Sequence, residues 1–406
     1  MKKFLLATTA LAMSAGFAAA DVAVSGDARM GVVSTDGVAT FSNRIRVKFS
    51  GSGTTDGGLA FGGSFRANEA SLAESAGTKG STFISGAFGK ISFGSLDSGD
   101  AASVGQLASV GWDGVGYGNS ISYAADAGGD NGMPGALSDA GGARVLYTYS
   151  AGALTVNAST AQMTDGGATA YGIGGSYASG ALTVGLGYGV VDGGTVTGLT
   201  AMDTTAYAGQ TAAALVAGAQ ITTAGVTPIA AGAYETSALD GSVTDLSLSA
   251  TYVMDNTTIK AIYQSKTLEA SAAARADVAQ LIGAGTLGVT QAAVHGHAAI
   301  SLSSQATSMG LSVVQKMDTL TLTAYGINTT VDADSDLSAD NPTVSRYGIG
   351  FGYDLGGGAS VVGGWATVDA LVPGTATAST VDGALSTYSL TSVSHDQFDL
   401  GLNFSF

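Results

Sequence analysis

The chain has 406 residues, with 31 acidic against 15 basic side chains, a net charge of −16 and no cysteine. The acidity argues against nucleic acid and against docking on anionic lipid headgroups, and the lack of cysteine excludes disulfides, thiolate metal sites and cysteine nucleophiles. Charged residues make up only 11% of the chain, whereas a soluble surface usually carries about a quarter or more.

Residues 1–20 have the pattern of a secretory signal peptide. Two lysines follow the first methionine, an uncharged and mostly apolar run extends from Phe4 to Phe17, and three alanines precede Asp21. The apolar run is too short for a membrane helix, and the small residues fit the cleavage rule. We expect cleavage before Asp21, which leaves residues 21–406 as one exported domain with 13 basic and 31 acidic residues, a net charge of −18.

Tight turns divide the exported chain into alternating runs, which is a hairpin pattern. Seven of them lie at residues 52–58, 88–90, 151–153, 179–180, 255–257, 318–319 and 356–358. Seven short turns with both termini on the same side predict sixteen strands. Eight longer connections are expected at the opposite side, near residues 34–38, 69–79, 96–142, 164–168, 192–244, 267–304, 331–342 and 371–394.

The last run alternates strictly and stops on an aromatic residue. One face carries Phe398, Leu400, Leu402, Phe404 and Phe406, and the other carries Asp399, Gly401, Asn403 and Ser405. A soluble sheet can alternate in this way, but large apolar residues on one face and a terminal aromatic are typical of outer-membrane barrels. No uncharged stretch has the composition of a spanning helix; the nearest apolar one, 16 residues at 206–221, is rich in alanine, glycine and threonine. We therefore expect an all-β fold, a transmembrane antiparallel β-barrel of sixteen strands, because only a closed barrel satisfies strand backbone groups in lipid.

Basic residues concentrate in the first three predicted strands. Five of the 13 in the exported chain lie there: Arg29, Arg44, Arg46, Lys48 and Arg66. Alternation places them opposite apolar side chains such as Ile45 and Val47, and therefore toward the lumen, because a basic side chain facing lipid at mid-depth costs about 2–4 kcal/mol. The alternative is the solvated face of a soluble sheet, which the signal peptide and the closing strand argue against.

Acidic residues dominate the segment 96–142. It contains six aspartates and neither lysine nor arginine. A connection of this length inside a compact domain is usually functional.

Three parts of the sequence resemble the general porins of alphaproteobacteria, the Rhodobacter-type porin family, and the resemblance covers essentially the whole exported chain. The first is VSGDARMGV at 24–32 with SNRIRV at 42–47, and the second is SGSGTTDGGLAFG at 50–62 with FISGAFGK at 83–90. The third is LYTYSAGA at 146–153 with YDLGGGASVVGG at 353–364. The resemblance implies a homotrimer of sixteen-stranded barrels, in which the third long loop folds into the lumen and narrows it.

In the resembled family this loop faces the basic cluster, so the resemblance implies an electric field across a constriction. The acidic candidates are Asp97, Asp100, Asp113 and Asp126, and the basic ones are the five residues named above. An inward loop also explains why Gly348, Gly350 and Gly352 share the inward face of one predicted strand. The chain departs from the family in length, because the connections at 192–244, 267–304 and 371–394 are enlarged, so pore size is not carried over.

Catalytic and metal sites have little support in the sequence. The three histidines, two in a predicted loop and one at a strand start, give no serine–histidine–acid arrangement, so we expect no enzyme. Asp332, Asp334 and Asp336 resemble a calcium loop but lack its glycine and its closing glutamate. We expect no cofactor and no specific metal, and at most loosely bound divalent cations.

These features favour an outer-membrane porin of a Gram-negative bacterium, a water-filled channel for passive diffusion of ions and small hydrophilic solutes. The expected partners are two further copies of the chain, outer-membrane lipid and lipopolysaccharide, with no nucleic acid. Two alternatives stay open. One is a secreted or surface-attached all-β structural protein or adhesin, and the other is a substrate-specific channel of the same fold, which the long outer loops allow.

Overall fold

The computed structural model describes residues 21–70, 73–112, 118–126, 144–162, 169–195, 240–270, 303–333, 343–378 and 385–406. The predicted signal peptide lies outside them. The strands are β1 (Asp21–Thr35), β2 (Val38–Thr54), β3 (Ala60–Ala70), β4 (Ala73–Gly86), β5 (Gly89–Gly94), β6 (Arg144–Ala151), β7 (Leu154–Gln162), β8 (Thr169–Ser179), β9 (Leu182–Thr195), β10 (Asp240–Met254), β11 (Thr257–Ala270), β12 (Ser303–Met317), β13 (Leu320–Ala333), β14 (Thr343–Gly356), β15 (Ala359–Ala378) and β16 (Leu385–Ser405). A short helix, α1 (Gly99–Val104), and a 3₁₀ turn at Ala124–Asp126 follow β5.

Every strand pairs antiparallel with its neighbours in the chain, and β1 pairs with β16 to close the barrel. The seven predicted tight turns all join consecutive strands at one end. The predicted all-β class and the count of sixteen strands are therefore confirmed. None of the helices among the described residues is long and apolar enough to span a membrane.

Three of the predicted long connections are shorter than expected. The first is a two-residue turn, Asp36–Gly37, in which both residues have positive φ (50° and 84°), as a tight hairpin requires. The second separates Ala70 from Ala73, and the last separates Ala378 from Leu385. The strands extend further because backbone pairing continues beyond the apolar band that the sequence pattern reveals. Residues 196–239, 271–302 and 334–342, within three other predicted connections, lie outside the described residues.

The outer surface of the barrel is apolar, which inverts the arrangement of a soluble protein. Phe398 and Leu400 are 45% and 43% exposed, whereas Asp399 between them is fully buried inside. Phe49 on β2 and Phe65 on β3 stack with their ring centroids 5.2 Å apart, and both are exposed. The predicted alternation of the last strand is thus confirmed, with its apolar face outward.

The seam between β1 and β16 is held by the C-terminal residue. The Gly26 amide donates to the Phe406 carbonyl (2.7 Å), and the Phe406 amide donates to the Gly26 carbonyl (3.0 Å). The Phe406 ring packs directly over Gly26, where a Cβ would clash with it. A terminal aromatic and a glycine on the first strand therefore fit together to close the barrel.

The buried core lies inside the barrel, between its wall and the segment that follows β5. Residues of that segment pack against inward side chains of β11 and β13: Val104, Leu107, Val110, Ile121 and Tyr123 meet Ile262, Tyr325 and Ile327. Packing of apolar residues into the lumen is the main force that can hold a loop there. We call residues 95–143 the inward loop, of which 95–112 and 118–126 are described.

Candidate functional site

The inward loop lies flat on the barrel wall because the wall is lined with glycines where the loop crosses it. We call these nine residues the glycine track: Gly172, Gly174, Gly185, Gly187, Gly189, Gly310, Gly348, Gly350 and Gly401. A Cβ added to any of them would come within 3.0 Å of a loop atom. Of the three inward glycines predicted from β14, Gly348 and Gly350 contact the loop, and Gly352 has open space around it. Close approach of two backbones therefore explains the first two.

Hydrogen bonds from charged wall residues hold the loop at intervals. Lys260 on β11 donates from Nζ to the Val104 carbonyl at the end of α1 (2.6 Å). Lys266, on the same strand, donates to the carbonyl and the hydroxyl of Ser122 (3.2 Å each). Both ammonium groups satisfy loop acceptors that would otherwise be buried without a partner.

The outgoing and returning limbs of the loop also bond to each other. The Gln106 amide group donates to the Ile121 carbonyl (2.8 Å) and accepts from the Ile121 amide (2.6 Å). Asn119 donates to the Leu107 carbonyl (2.8 Å), and the Tyr123 hydroxyl donates to the Gly105 carbonyl (2.5 Å). The described loop is therefore a small folded unit with its own polar contacts.

Two buried carboxylates meet where α1 touches the wall. Asp100 in α1 is fully buried, and Asp245 on β10 is 1% exposed. Both face Gly189, where one added Cβ would clash with an oxygen of each side chain. Burial, reinforced by the charge of Asp245, raises the pKa of Asp100 to about 7. Asp245 accepts hydrogen bonds from the Ala124 amide (2.7 Å) and the Ser247 hydroxyl (2.7 Å), so it also anchors the returning limb.

An ion pair fixes the base of the loop. Arg144, the first residue of β6, contacts the Asp126 carboxylate at 2.8 Å and donates to the Ala125 carbonyl at 3.0 Å. Asp126 also accepts from the Ser98 amide (3.1 Å). Burial raises the pKa of Asp126, and the charge of Arg144 opposes that rise.

The five predicted basic residues are brought together on the first three strands, and we call them the basic wall. Arg29 lies directly opposite Arg44 across β1 and β2, and Lys48 lies opposite Arg66 across β2 and β3. The four arginines are half-buried and Lys48 is exposed. Arg44 contacts the carboxylate of Asp27 at 3.0 Å.

The outer end of the described loop reaches this basic wall through Trp112. The Arg29 guanidinium stands over the Trp112 ring, 5.0 Å from its centroid. The indole Nε1 donates to the Leu402 carbonyl on β16 (3.1 Å), and the ring packs on Gly401. The loop therefore runs along the inner wall from β7 to the seam where the barrel closes.

The predicted acidic residues do not act as one group. Asp97 is exposed, Asp126 is bound to Arg144, and Asp113 lies outside the described residues. Asp100 requires a correction, because its carboxylate faces the barrel wall and is fully buried. It packs the loop against the wall and is inaccessible to a solute in the lumen.

Several residues of the site were not identified from the sequence. These are Trp112, Arg144, Asp245, Lys260 and Lys266. The alternation of inward and outward side chains along each strand was one available signal. A charged residue in the middle of a membrane strand faces inward, and it needs a polar partner there. Trp112 carries no comparable signal in the sequence. Among the described residues no group of three or more histidine, aspartate or glutamate side chains is placed to hold a metal ion.

Known proteins share this architecture. The model of the Gram-negative porin family matches residues 7–286. A porin of Rhodobacter capsulatus is 34% identical over 356 residues, which cover 86% of this chain and 95% of that protein. A porin structure refined at 1.8 Å superposes with a TM-score of 0.57 at 28% identity, covering 95% of this chain and all of that one. The trimer form of OmpT, an outer-membrane protein of Vibrio cholerae, shares the fold with a TM-score of 0.62 at 16% identity, covering 95% and 99%.

The family match covers well over half of the chain, and the Rhodobacter relative is aligned over nearly its full length. The closed sixteen-stranded barrel agrees with the related porin structure. The predicted family, fold and location are therefore confirmed. The chain belongs to the Gram-negative porin family, whose members form passive channels in the outer membrane.

Proposed function

We propose that the basic wall and the inward loop border the narrowest part of the channel, and that their charges select among ions and small hydrophilic solutes. The observation that carries this proposal is the contact between Arg29 and Trp112, because it brings the loop onto the basic wall. Rings of charged side chains at a constriction are a common basis of selectivity in pores.

The two sides of the proposed constriction differ in how much accessible charge they carry. Positive charge is concentrated on the basic wall, whereas Asp100 is buried and Asp126 is neutralised by Arg144. Asp97, which is exposed, and Asp113 are the remaining acidic candidates from the sequence. We therefore propose an asymmetric field in which the basic wall dominates, although the chain as a whole is strongly acidic.

The proposed transport is passive and needs neither a cofactor nor a catalytic residue. In the part of the chain that the structure describes, the histidine is His395, and it contacts the Asp36 carboxylate (2.7 Å) at an exposed turn, far along the chain from any loop residue. His295 and His297 lie outside the described residues. Membership of the porin family supports a channel rather than an enzyme.

We also propose that the protein is a homotrimer surrounded by outer-membrane lipid and lipopolysaccharide. The apolar outer surface suits both lipid and a second barrel, and the related structure from Vibrio cholerae is described as a trimer form. Loosely bound divalent cations are expected where acidic outer loops approach lipopolysaccharide, because the exported chain carries a net charge of −18.

The experiment that tests the constriction uses Arg44→Gln together with Arg46→Gln. Removing two positive charges from the basic wall should shift the reversal potential in a potassium chloride gradient toward cation selectivity. Lys316→Gln, which removes an exposed charge at the end of β12, is the control and should leave the reversal potential unchanged. If the double variant keeps both the conductance and the reversal potential of the parent protein, these arginines do not border the solute path.

A further inference from the structure

The last two strands extend beyond their neighbours at the end of the barrel that carries the long connections. Pairing of β15 with β14 ends at Val368, and pairing of β16 with β1 ends at Gln397. β15 and β16 continue to pair with each other for the rest of their length. We call residues 369–378 and 385–396 the outer ribbon, because the long connections of outer-membrane barrels lie outside the cell.

Two aspartates mark the base of the outer ribbon. The Asp36 amide donates to the Asp396 carbonyl (2.8 Å), and the Asp396 amide donates to the Asp36 carboxylate (3.0 Å), so Asp36 takes the place of a paired strand residue. The same carboxylate contacts His395 (2.7 Å). On the other side, the Asp369 carboxylate accepts from the Ser345 amide (3.1 Å). Beyond these contacts, no strand among the described residues pairs with either edge of the ribbon.

Backbone groups of alternate residues point away from β15 along the free edge of β16. The backbone bonds of Asp396 and Phe406 to the first hairpin show that even-numbered residues of β16 direct their N–H and C=O groups to this side. Four such residues follow on the free edge: Ser394, Ser392, Leu390 and Tyr388. Each presents one donor and one acceptor, and a row of this kind is a template for pairing with another strand.

The two edges of the outer ribbon differ in their protection against such pairing. The β15 edge carries Pro373, which has no N–H, and its register shifts between Pro373 and Ala376. Proline and bulges are features that prevent the pairing of exposed edges. The β16 edge has neither a charged residue nor a proline from Leu385 to Ser394. The β16 edge is therefore the one open to a partner.

Charge indicates which partner fits this edge. No lysine or arginine follows Arg346 in the sequence, so the ribbon offers no cationic side chain to the phosphate groups of lipopolysaccharide. Two exported chains, each with a net charge of −18, repel each other over much of their surface, and an uncharged edge is a place where they can meet. A row of alternating backbone donors and acceptors is also complementary to its own antiparallel copy.

We propose that the free edge of β16 pairs antiparallel with the same edge of a second copy of the chain. The register centred on Thr391 uses all four open residues, with Ser394 of one copy opposite Tyr388 of the other and Ser392 opposite Leu390. This register forms about eight backbone hydrogen bonds. It converts two two-stranded ribbons, each marginally stable in water, into one four-stranded sheet. Copies within the proposed trimer point the same way, so the contact joins separate trimers, outer end to outer end.

Engineered cysteines test this pairing, because the chain has no cysteine of its own. Thr391→Cys would lie opposite itself with Cα atoms about 4.5 Å apart, which is within the range of a disulfide. Two copies of Ser394→Cys would stand about 20 Å apart in the same register. The detergent-extracted proteins are oxidised and then separated on a denaturing gel without reductant. Thr391→Cys should give at least about tenfold more covalent dimer than Ser394→Cys.

Two further variants test the register and the backbone bonds. Tyr388→Cys added to Ser394→Cys should restore the covalent dimer, because these two residues face each other across the contact. Ser392→Pro added to Thr391→Cys removes an N–H that points to the second copy and keeps the bonds to β15, so the dimer yield should fall at least about tenfold. Migration of the unheated barrel on the gel shows that each variant is folded. Equal dimer yields from Thr391→Cys and Ser394→Cys, or no dimer from any folded variant, would overturn the proposal.

Discussion

Asp100 of the inward loop and Asp245 of β10 bury their carboxyl groups against the same glycine, Gly189. The ammonium of Lys266 is close enough to attract both, and Tyr123 and Asp126 lie nearby on the returning limb. Two buried carboxylates so close to each other are most stable when one of them carries a proton. The packing of the loop on the wall is therefore linked to protonation.

Loop packing should weaken as the pH rises from about 4 to about 7. The pKa of Asp100 is raised to about 7 in the folded protein from an ordinary value of 3.8, so the packed loop keeps a proton that the released loop has lost. Below that interval Asp100 is protonated in both the packed and the released loop, and above it Asp100 is ionised in both. The equilibrium between packed and released loop therefore depends on pH only within the interval. The change is at most about tenfold per pH unit.

Current noise from single channels, recorded between about pH 4 and about pH 8, measures this effect. Noise should increase through the interval as the loop leaves the wall more often. Asp100→Asn removes one carboxyl group of the pair and should make the noise less dependent on pH in this range. A parent protein whose noise stays constant across the interval would show that the loop does not respond to this carboxyl group.

The glycine track predicts a matched pair of substitutions. Gly187→Ala places a Cβ 2.9 Å from the Cα and the carbonyl oxygen of Asp100, so the loop must move away from β9. Gly352→Ala places a Cβ on an inward face with no atom within 4 Å, and is the control. We expect the first variant to alter conductance and increase noise, at a cost of about 1–3 kcal/mol in loop packing. Equal conductance in both variants would mean that the loop is not held against the wall.

Trp112 should control how firmly the loop meets the basic wall. Trp112→Ala removes the contact with Arg29 and the hydrogen bond to the Leu402 carbonyl, together about 1–3 kcal/mol. We expect larger and noisier conductance, with a shifted reversal potential because Arg29 loses its contact with the indole ring. Trp365→Ala, in which the lost ring contacts Tyr347 instead, should leave these properties unchanged.

The ion pair at the base of the loop should matter for stability more than for selectivity. Arg144→Met leaves the buried Asp126 carboxylate without its partner, a loss of about 3–5 kcal/mol. Adding Asp126→Asn should restore part of that loss. The measurement is the temperature at which the folded barrel converts to the slower unfolded band in gel electrophoresis. Equal temperatures for the parent and Arg144→Met would contradict the assignment.

The barrel was predictable because membrane strands obey a simple constraint. Lipid outside and water inside impose alternation along each strand, so the outward faces of Phe398 and Leu400 and the inward face of Arg44 followed from position alone. The number of tight turns predicted the number of strands. Connection lengths were less accurate, because backbone pairing continues past the apolar band at places such as Ala73 and Ala378.

The interior of the channel was less predictable, because it depends on how the loop lies on distant strands. Asp100 is an ordinary loop aspartate in the sequence, and its burial follows only from contacts with Gly172, Gly187 and Gly189. The role of Trp112 depends on Leu402, 290 residues away. Such pairs leave no local pattern, whereas the inward glycines of β14 do, since a run of small residues on one face already indicates close approach of another chain segment.

Conductance of the detergent-extracted protein in a planar lipid bilayer, with the reversal potential taken in a potassium chloride gradient, shows directly whether the barrel is an open, charge-selective channel. We expect stable steps with current proportional to voltage, closing in groups of three at high voltage, and a reversal potential that moves toward cation selectivity when the basic wall is neutralised. A correctly folded protein that inserts but passes no current, or one that is recovered without detergent, would contradict this expectation.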